Sequence, residues 1–147
     1  MLRDRIGEEL KEAMKARDQV RVATLRMLIA AVKNVQIEKK RELDDDEVID
    51  VAAREAKRRK ESIDAFRSGG RDDLVAKEEA ELAVLAVYLP EQITGEALAA
   101  LVDEAIAETG ATGPKEMGAV MKALMPKVRG RADGTEVSSL VKQRLGA

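Results

Sequence analysis

Apolar residues recur three and four positions apart along almost the whole chain, the spacing that sets them on one side of an α-helix. From Leu2 to Ala16 the stripe is Leu2, Ile6, Leu10, Ala13 and Met14, which predicts a first helix. Asp18 is placed to cap a second, running to about Arg41, whose centre from Val20 to Val32 is apolar on nearly every side. A helix apolar all round is a buried one, so this segment is predicted to be the central pillar. Asp44 and Glu47 stand at capping-box spacing and open a third helix to about Arg67. Ser68-Gly69-Gly70 breaks it, because glycine reaches the left-handed conformation that ends helices. Asp72 or Asp73 restarts a fourth, filled by Leu74, Val75, Ala80, Ala83, Val84, Val87 and Tyr88.

Pro90 marks a boundary, since the residue before a proline is biased away from helical geometry. Beyond it the pattern predicts three shorter helices. Thr94 can cap a fifth with the stripe Leu98, Leu101, Val102, Ala105 and Ile106, and Gly110 ends it. Pro114 suits the first turn of a sixth, which carries Met117, Val120, Met121, Leu124 and Met125 and is stopped by Pro126. Asp133 and Glu136 form a second capping box and open a seventh, with Val137, Leu140, Val141 and Leu145 inside. No stretch alternates with period two for long enough to suggest a strand. The expected fold is therefore all-α, with an N-terminal helical domain of about four helices (1–89) and a compact three-helix C-terminal domain (90–147).

A chain of 147 residues buries roughly 70% of its unfolded surface and needs no disulfide or metal to hold a core. It has neither Cys nor His. That removes thiol nucleophiles, the usual zinc and iron ligands, and imidazole proton transfer, so no metal, cofactor or catalytic residue is expected. Phe66 and Tyr88 are the only aromatics, too few to stack the bases of a single strand. Any RNA would have to be recognised through shape and phosphates. Leu2 is followed at once by Arg3, Asp4 and Arg5, and no apolar run nears the ~20 residues of a membrane span. These features read as a soluble, cytoplasmic protein with no membrane partner.

The joint between the last two helices, PKVRGRADG, is not explained by folding alone. Residues 113–133 carry Lys115, Lys122, Lys127, Arg129 and Arg131 against Glu116 and Asp133. At 100° per residue, Lys115 and Lys122 lie within about 20° of each other, opposite the apolar stripe. Gly130 and Gly134 permit close backbone approach, and the N–H groups opening the seventh helix favour an anion. The set suits a phosphate-bearing ligand; a solvated basic turn that merely complements a helix end is the alternative.

Other charged clusters have structural readings. In Lys57-Arg58-Arg59-Lys60, Arg59 projects into the inward arc and can pair with an acid at the rim, while Lys57 and Arg58 point away as a secondary basic patch. Lys39-Lys40-Arg41 favours a helix C-terminus. Asp44-Asp45-Asp46 lacks the alternating ligands of a calcium loop and reads as capping. Ser138 and Lys142 stand four apart but have no accompanying oxyanion donors. Met117, Met121 and Met125 read as core filling.

The segments VATLRMLIAAVKNVQIEKKREL (22–43), AKEEAELAVLAVYLPEQIT (76–94) and MGAVMKALMPKVRGRADG (117–134) together resemble the YqeY family. That family is related to the tail of the B subunit of the glutamine-dependent aspartyl/glutamyl-tRNA amidotransferase. The resemblance covers nearly the whole chain and implies a helical N-terminal domain followed by a compact three-helix domain. It also implies tRNA as the partner of the joint, with Lys127, Arg129 and Arg131 as contacts in the proline–basic–glycine–basic–Ala-Asp-Gly run. A tRNA-binding or amidotransferase-associated accessory protein is the first expectation. A component of a carbon–nitrogen ligase with glutamine as amide donor is the second, although this chain lacks the relative's ATP-binding and amidase domains. A protein–protein adaptor is the third.

Overall fold

The structure, a computed structural model, describes residues 1–146. Its elements are all helical: α1 Leu2–Ala16, α2 Gln19–Lys39, α3 Asp45–Ser68, α4 Asp72–Ala86, α5 Gly95–Thr109, α6 Met117–Val128 and α7 Gly134–Arg144. A 3-10 turn at Pro114–Glu116 leads into α6. The all-α expectation holds. The chain groups into two compact units, Met1–Leu89 and Pro90–Ala147.

In the first unit α1 to α4 enclose a core that includes Ile6, Leu25, Leu28, Val48, Ala52 and Leu85. Local signals set the helix limits. Asp18 accepts from the Arg21 N–H at 3.1 Å, and Asp44 and Glu47 form the full reciprocal capping box. Asp45 serves a different purpose: its Oδ1 accepts from the Leu2 N–H at 2.9 Å, tying the start of α1 to the start of α3.

Two expectations for this unit need correction. The second helix is not buried all round. Its Thr24, Leu25, Leu28 and Val32 are inside, but Val20, Met27 and Ile37 are exposed, so it has two apolar faces and the fold covers one. Periodicity shows that a face is apolar but not whether anything stands opposite it. The fourth helix stops at Ala86, short of Tyr88, because Val87–Leu89 form a turn that leaves Val87 outside and Tyr88 buried.

The second unit packs α5, α6 and α7 about Leu98, Val102, Val120, Leu124, Val137 and Val141. Gly110 ends α5 with φ 66°, in the left-handed region where a side chain would be strained. Thr94 occupies the N-cap position of α5, but its side chain makes no cap bond. Pro126 does not stop α6, which continues to Val128. A proline removes one helical hydrogen bond, yet the last turn is retained because Val128 is buried in the core and the Arg129 N–H still reaches the Met125 carbonyl at 2.9 Å. With the helix extended, Met125 is exposed rather than core, whereas Met117 and Met121 pack partly against the core.

Candidate nucleic-acid interface

The joint between α6 and α7 is a tight, internally bonded turn. Arg129 leaves the helix with extended ψ, and Gly130 takes φ 70°, a conformation open to glycine at no steric cost. The Arg131 and Ala132 N–H groups then fold back onto the Val128 carbonyl at 2.8 and 3.1 Å. Asp133 Oδ1 accepts from the Thr135 N–H at 3.1 Å and starts α7. The opening of α7 is therefore not a vacant anion site: a carboxylate of the chain already lies there, which corrects the expectation drawn from its N–H groups.

Arg131 fastens a second segment to this turn. Its Nε donates to the Glu91 carbonyl at 3.0 Å and a terminal nitrogen donates to the Lys127 carbonyl at 3.1 Å. The Ile93 N–H donates to the Arg131 carbonyl at 2.7 Å, and Gln92 Nε2 donates to the Gly130 carbonyl at 2.8 Å. The residues Glu91-Gln92-Ile93 and Gly130-Arg131 thus form one bonded unit, although 38 positions separate Gln92 from Gly130. Arg131 also borders an open depression of about 490 Å³ together with Gln92, Thr94, Ala97 and Leu101.

The five cations expected to act together have different surroundings. Lys127 reaches Glu108 at 3.2 Å and Glu104 at 3.4 Å across from α5. The Glu108 hydrogen bond, reinforced by both carboxylates, raises its ammonium above the ordinary lysine range. Arg131 is half-buried and engaged with backbone carbonyls. Lys115, Lys122 and Arg129 are exposed. Among the described residues, neither Lys115 nor Lys122 makes an ion pair. Lys115 sits in the 3-10 turn rather than on α6, so its angle to Lys122 is not the one a continuous α-helix would give.

In the secondary basic run, acids of the first unit engage Arg58 and Arg59. Arg59 is 5% exposed and pairs with Glu55 at 2.5 Å and with Glu81 at 3.4 Å. Arg58 reaches the same Glu55 at 3.2 Å, and Lys57 is half-buried. The basic end of α2 behaves likewise. Lys39 and Arg41 converge on Glu47 at 2.5 and 2.7 Å, and their hydrogen bonds hold that carboxyl far below the ordinary glutamate range. Tyr88 donates its hydroxyl to Glu9, and burial together with that bond pushes the phenol upward. Burial alone would raise Glu9, but the Tyr88 hydroxyl with Arg5 and Arg21 keeps it low. No hydrogen bond joins Ser138 and Lys142 among the described residues.

Sequence reading missed the acids that decide these outcomes. Glu55 and Arg59, four apart on α3, carried a usable signal, as did Glu104 and Glu108 on α5. The reach of Glu81 to Arg59, and of Gln92 to Gly130, had none in the linear pattern.

Residues 3–145 match the family described as YqeY, Yqey-like protein. Among curated proteins, the chain is similar to "Altered inheritance of mitochondria protein 41, mitochondrial" of three yeasts. Identity is 38% over 85 residues for Eremothecium gossypii, covering 57% of this chain and 46% of that protein. It is 39% over 84 residues for Kluyveromyces lactis, covering 56% and 45%. For Lachancea thermotolerans it is 35% over 85 residues, covering 57% and 46%. The chain thus spans about half the length of the curated relatives it matches. Their names overturn the expectation of a cytoplasmic protein, since the relatives are mitochondrial. The expectation rested on the charged residues after Leu2 and on the lack of a membrane-length apolar run, features that proteins of different aqueous compartments share.

Proposed function

The chain belongs to the YqeY family, and on that premise we propose that its C-terminal unit binds tRNA as a non-catalytic accessory module. The observation that carries this reading is the exposure of Lys115, Lys122 and Arg129 around α6, with no carboxylate among the described residues paired to Lys115 or Lys122. Exposed cations gain most from phosphate, because binding releases the counterions condensed on the nucleic acid. Arg131 has a supporting role, bonding the Glu91 and Lys127 carbonyls and so fixing the turn that presents Arg129, while Lys127 is engaged by acids of α5. The resemblance to the amidotransferase tail supplies tRNA as the ligand. Any amide transfer belongs to a partner enzyme in this reading.

Binding of unmodified tRNA, followed by fluorescence anisotropy across a salt series, tests the proposal. The wild-type protein should bind at low salt, with affinity falling by roughly 0.7–0.9 log units per tenfold salt for each phosphate neutralised. The variant Lys115→Ala/Lys122→Ala/Arg129→Ala should lose up to about three such increments, while Arg58→Ala leaves the slope unchanged. An unchanged slope in the triple variant removes these residues from the site. No binding by the wild-type protein at low salt removes the function.

A further inference from the structure

The outward face of α2 carries a pattern that the first unit leaves largely exposed, although Met27 Sδ accepts from a terminal nitrogen of Arg59 at 3.4 Å. Val20, Ala23, Met27, Ala30, Asn34 and Ile37 are all exposed, with Val20 at 41%, Met27 at 46% and Ile37 at 73%. Their intervals are three, four, three, four and three, the a/d spacing of a two-stranded coiled coil. Core-facing Leu25, Leu28 and Val32 lie on the other side of the same helix. A helix with a second apolar stripe in heptad register is built to bury it.

We propose that this stripe pairs with the same stripe of a second copy of the chain, parallel and in register. Two features select that occupant. Asn34 falls at an a position, and among the described residues its side chain has no hydrogen-bond partner. In a parallel in-register pair the two Asn34 amides meet across the two-fold axis and bond to each other, the arrangement by which one buried Asn fixes register and strand number. The flanks agree. Lys33 falls at g and Glu38 at e, exposed on opposite sides of the stripe and without an ion pair among the described residues. Parallel pairing sets each Lys33 against the partner's Glu38, twice. Antiparallel pairing would set the Arg26 and Lys33 flank against its own copy, which like charges oppose. The seam runs about 26 Å at 1.5 Å per residue, so the dimer is a weak one, populated at high concentration.

The natural chain has no cysteine, so a single introduced thiol reports on geometry without background. Asn34→Cys in the full chain should form an intermolecular disulfide under mild oxidation, and Glu61→Cys on exposed α3 should not. Sedimentation equilibrium of the wild-type protein should show a reversible monomer–dimer mixture. Ile37→Glu should weaken association by roughly a hundredfold or more, since it places like charges in the seam, and leave the melting curve intact. A wild-type chain that stays monomeric at about 1 mM overturns the proposal. So does a dimer in which Asn34→Cys fails to cross-link, or one that Ile37→Glu leaves unchanged. A different protein captured on this stripe while the chain alone remains monomeric also counts against it.

Discussion

The two units use charge in opposite ways. In Met1–Leu89 the buried polar and charged residues are Thr24, Glu47, Glu55 and Arg59, and Lys39, Arg41, Arg58 and Arg59 of the two basic runs are drawn onto acids of the same unit. In Pro90–Ala147 no charged residue is buried among those described, and the ion pairs Lys127–Glu108 and Arg144–Asp103 lie at the surface. A run of Lys and Arg therefore has no fixed meaning. Arg58 with Arg59 and Lys39 with Arg41 serve the scaffold; the joint after α6 leaves Arg129 exposed. How much of each cation is left exposed is set by the surrounding segments, and that is a property of packing.

The largest break in this contrast should come from Arg59. Arg59→Ala leaves Glu55 and Glu81 with no buried partner, and the first unit should lose about 3–5 kcal/mol. Tyr88, the only tyrosine, lies in that unit, so its fluorescence during urea unfolding reports the loss. Replacing the group by well-packed apolar residues should restore most of it, which a purely attractive ion pair would not allow.

In the second unit the corresponding change is smaller. Arg131→Ala removes two charge-assisted bonds to backbone carbonyls and should cost about 1–3 kcal/mol. Faster hydrogen exchange at the Ile93 amide, with the tyrosine transition unmoved, would confine the effect to this unit. Arg131→Lys should not rescue it, because an ammonium cannot reproduce the fork that spans Glu91 and Lys127.

Acid should then separate the units without mutation. Glu47 has its folded pKa depressed below the ordinary 4.5, so its stabilisation is present above that pH and is lost as pH falls through and below it. The tyrosine-reported midpoint should drop with acidification, and Glu47→Gln should flatten that dependence. Smallest of all is Lys127→Ala. Its partners Glu104 and Glu108 are exposed, and the melting curve of the second unit should barely move. A large loss there would mean that the second unit also depends on its charges.

Much of the fold was legible in the linear pattern, and particular residues show why. Asp18, Asp44 and Asp133 act as caps because a cap bonds within three residues, where sequence neighbours are spatial neighbours. Gly110 ends α5 for the same local reason. Pro126 was misread because its local preference was outweighed by burial of Val128, a tertiary effect. The candidate site was legible as composition, but its division of labour was not. Lys127 and Arg131 read as the equals of Arg129 until Glu104, Glu108 and the Glu91 carbonyl were placed around them.

By itself the sequence determined that this protein is helical, where most helices start, and that its joint is basic. Those follow from periodicity and from contacts a few residues long. Only the tertiary structure decided which cations the fold consumes, which it leaves to solvent, and that α2 keeps an apolar face uncovered. Each of those depends on what a distant segment places opposite a side chain, and linear spacing carries no record of that.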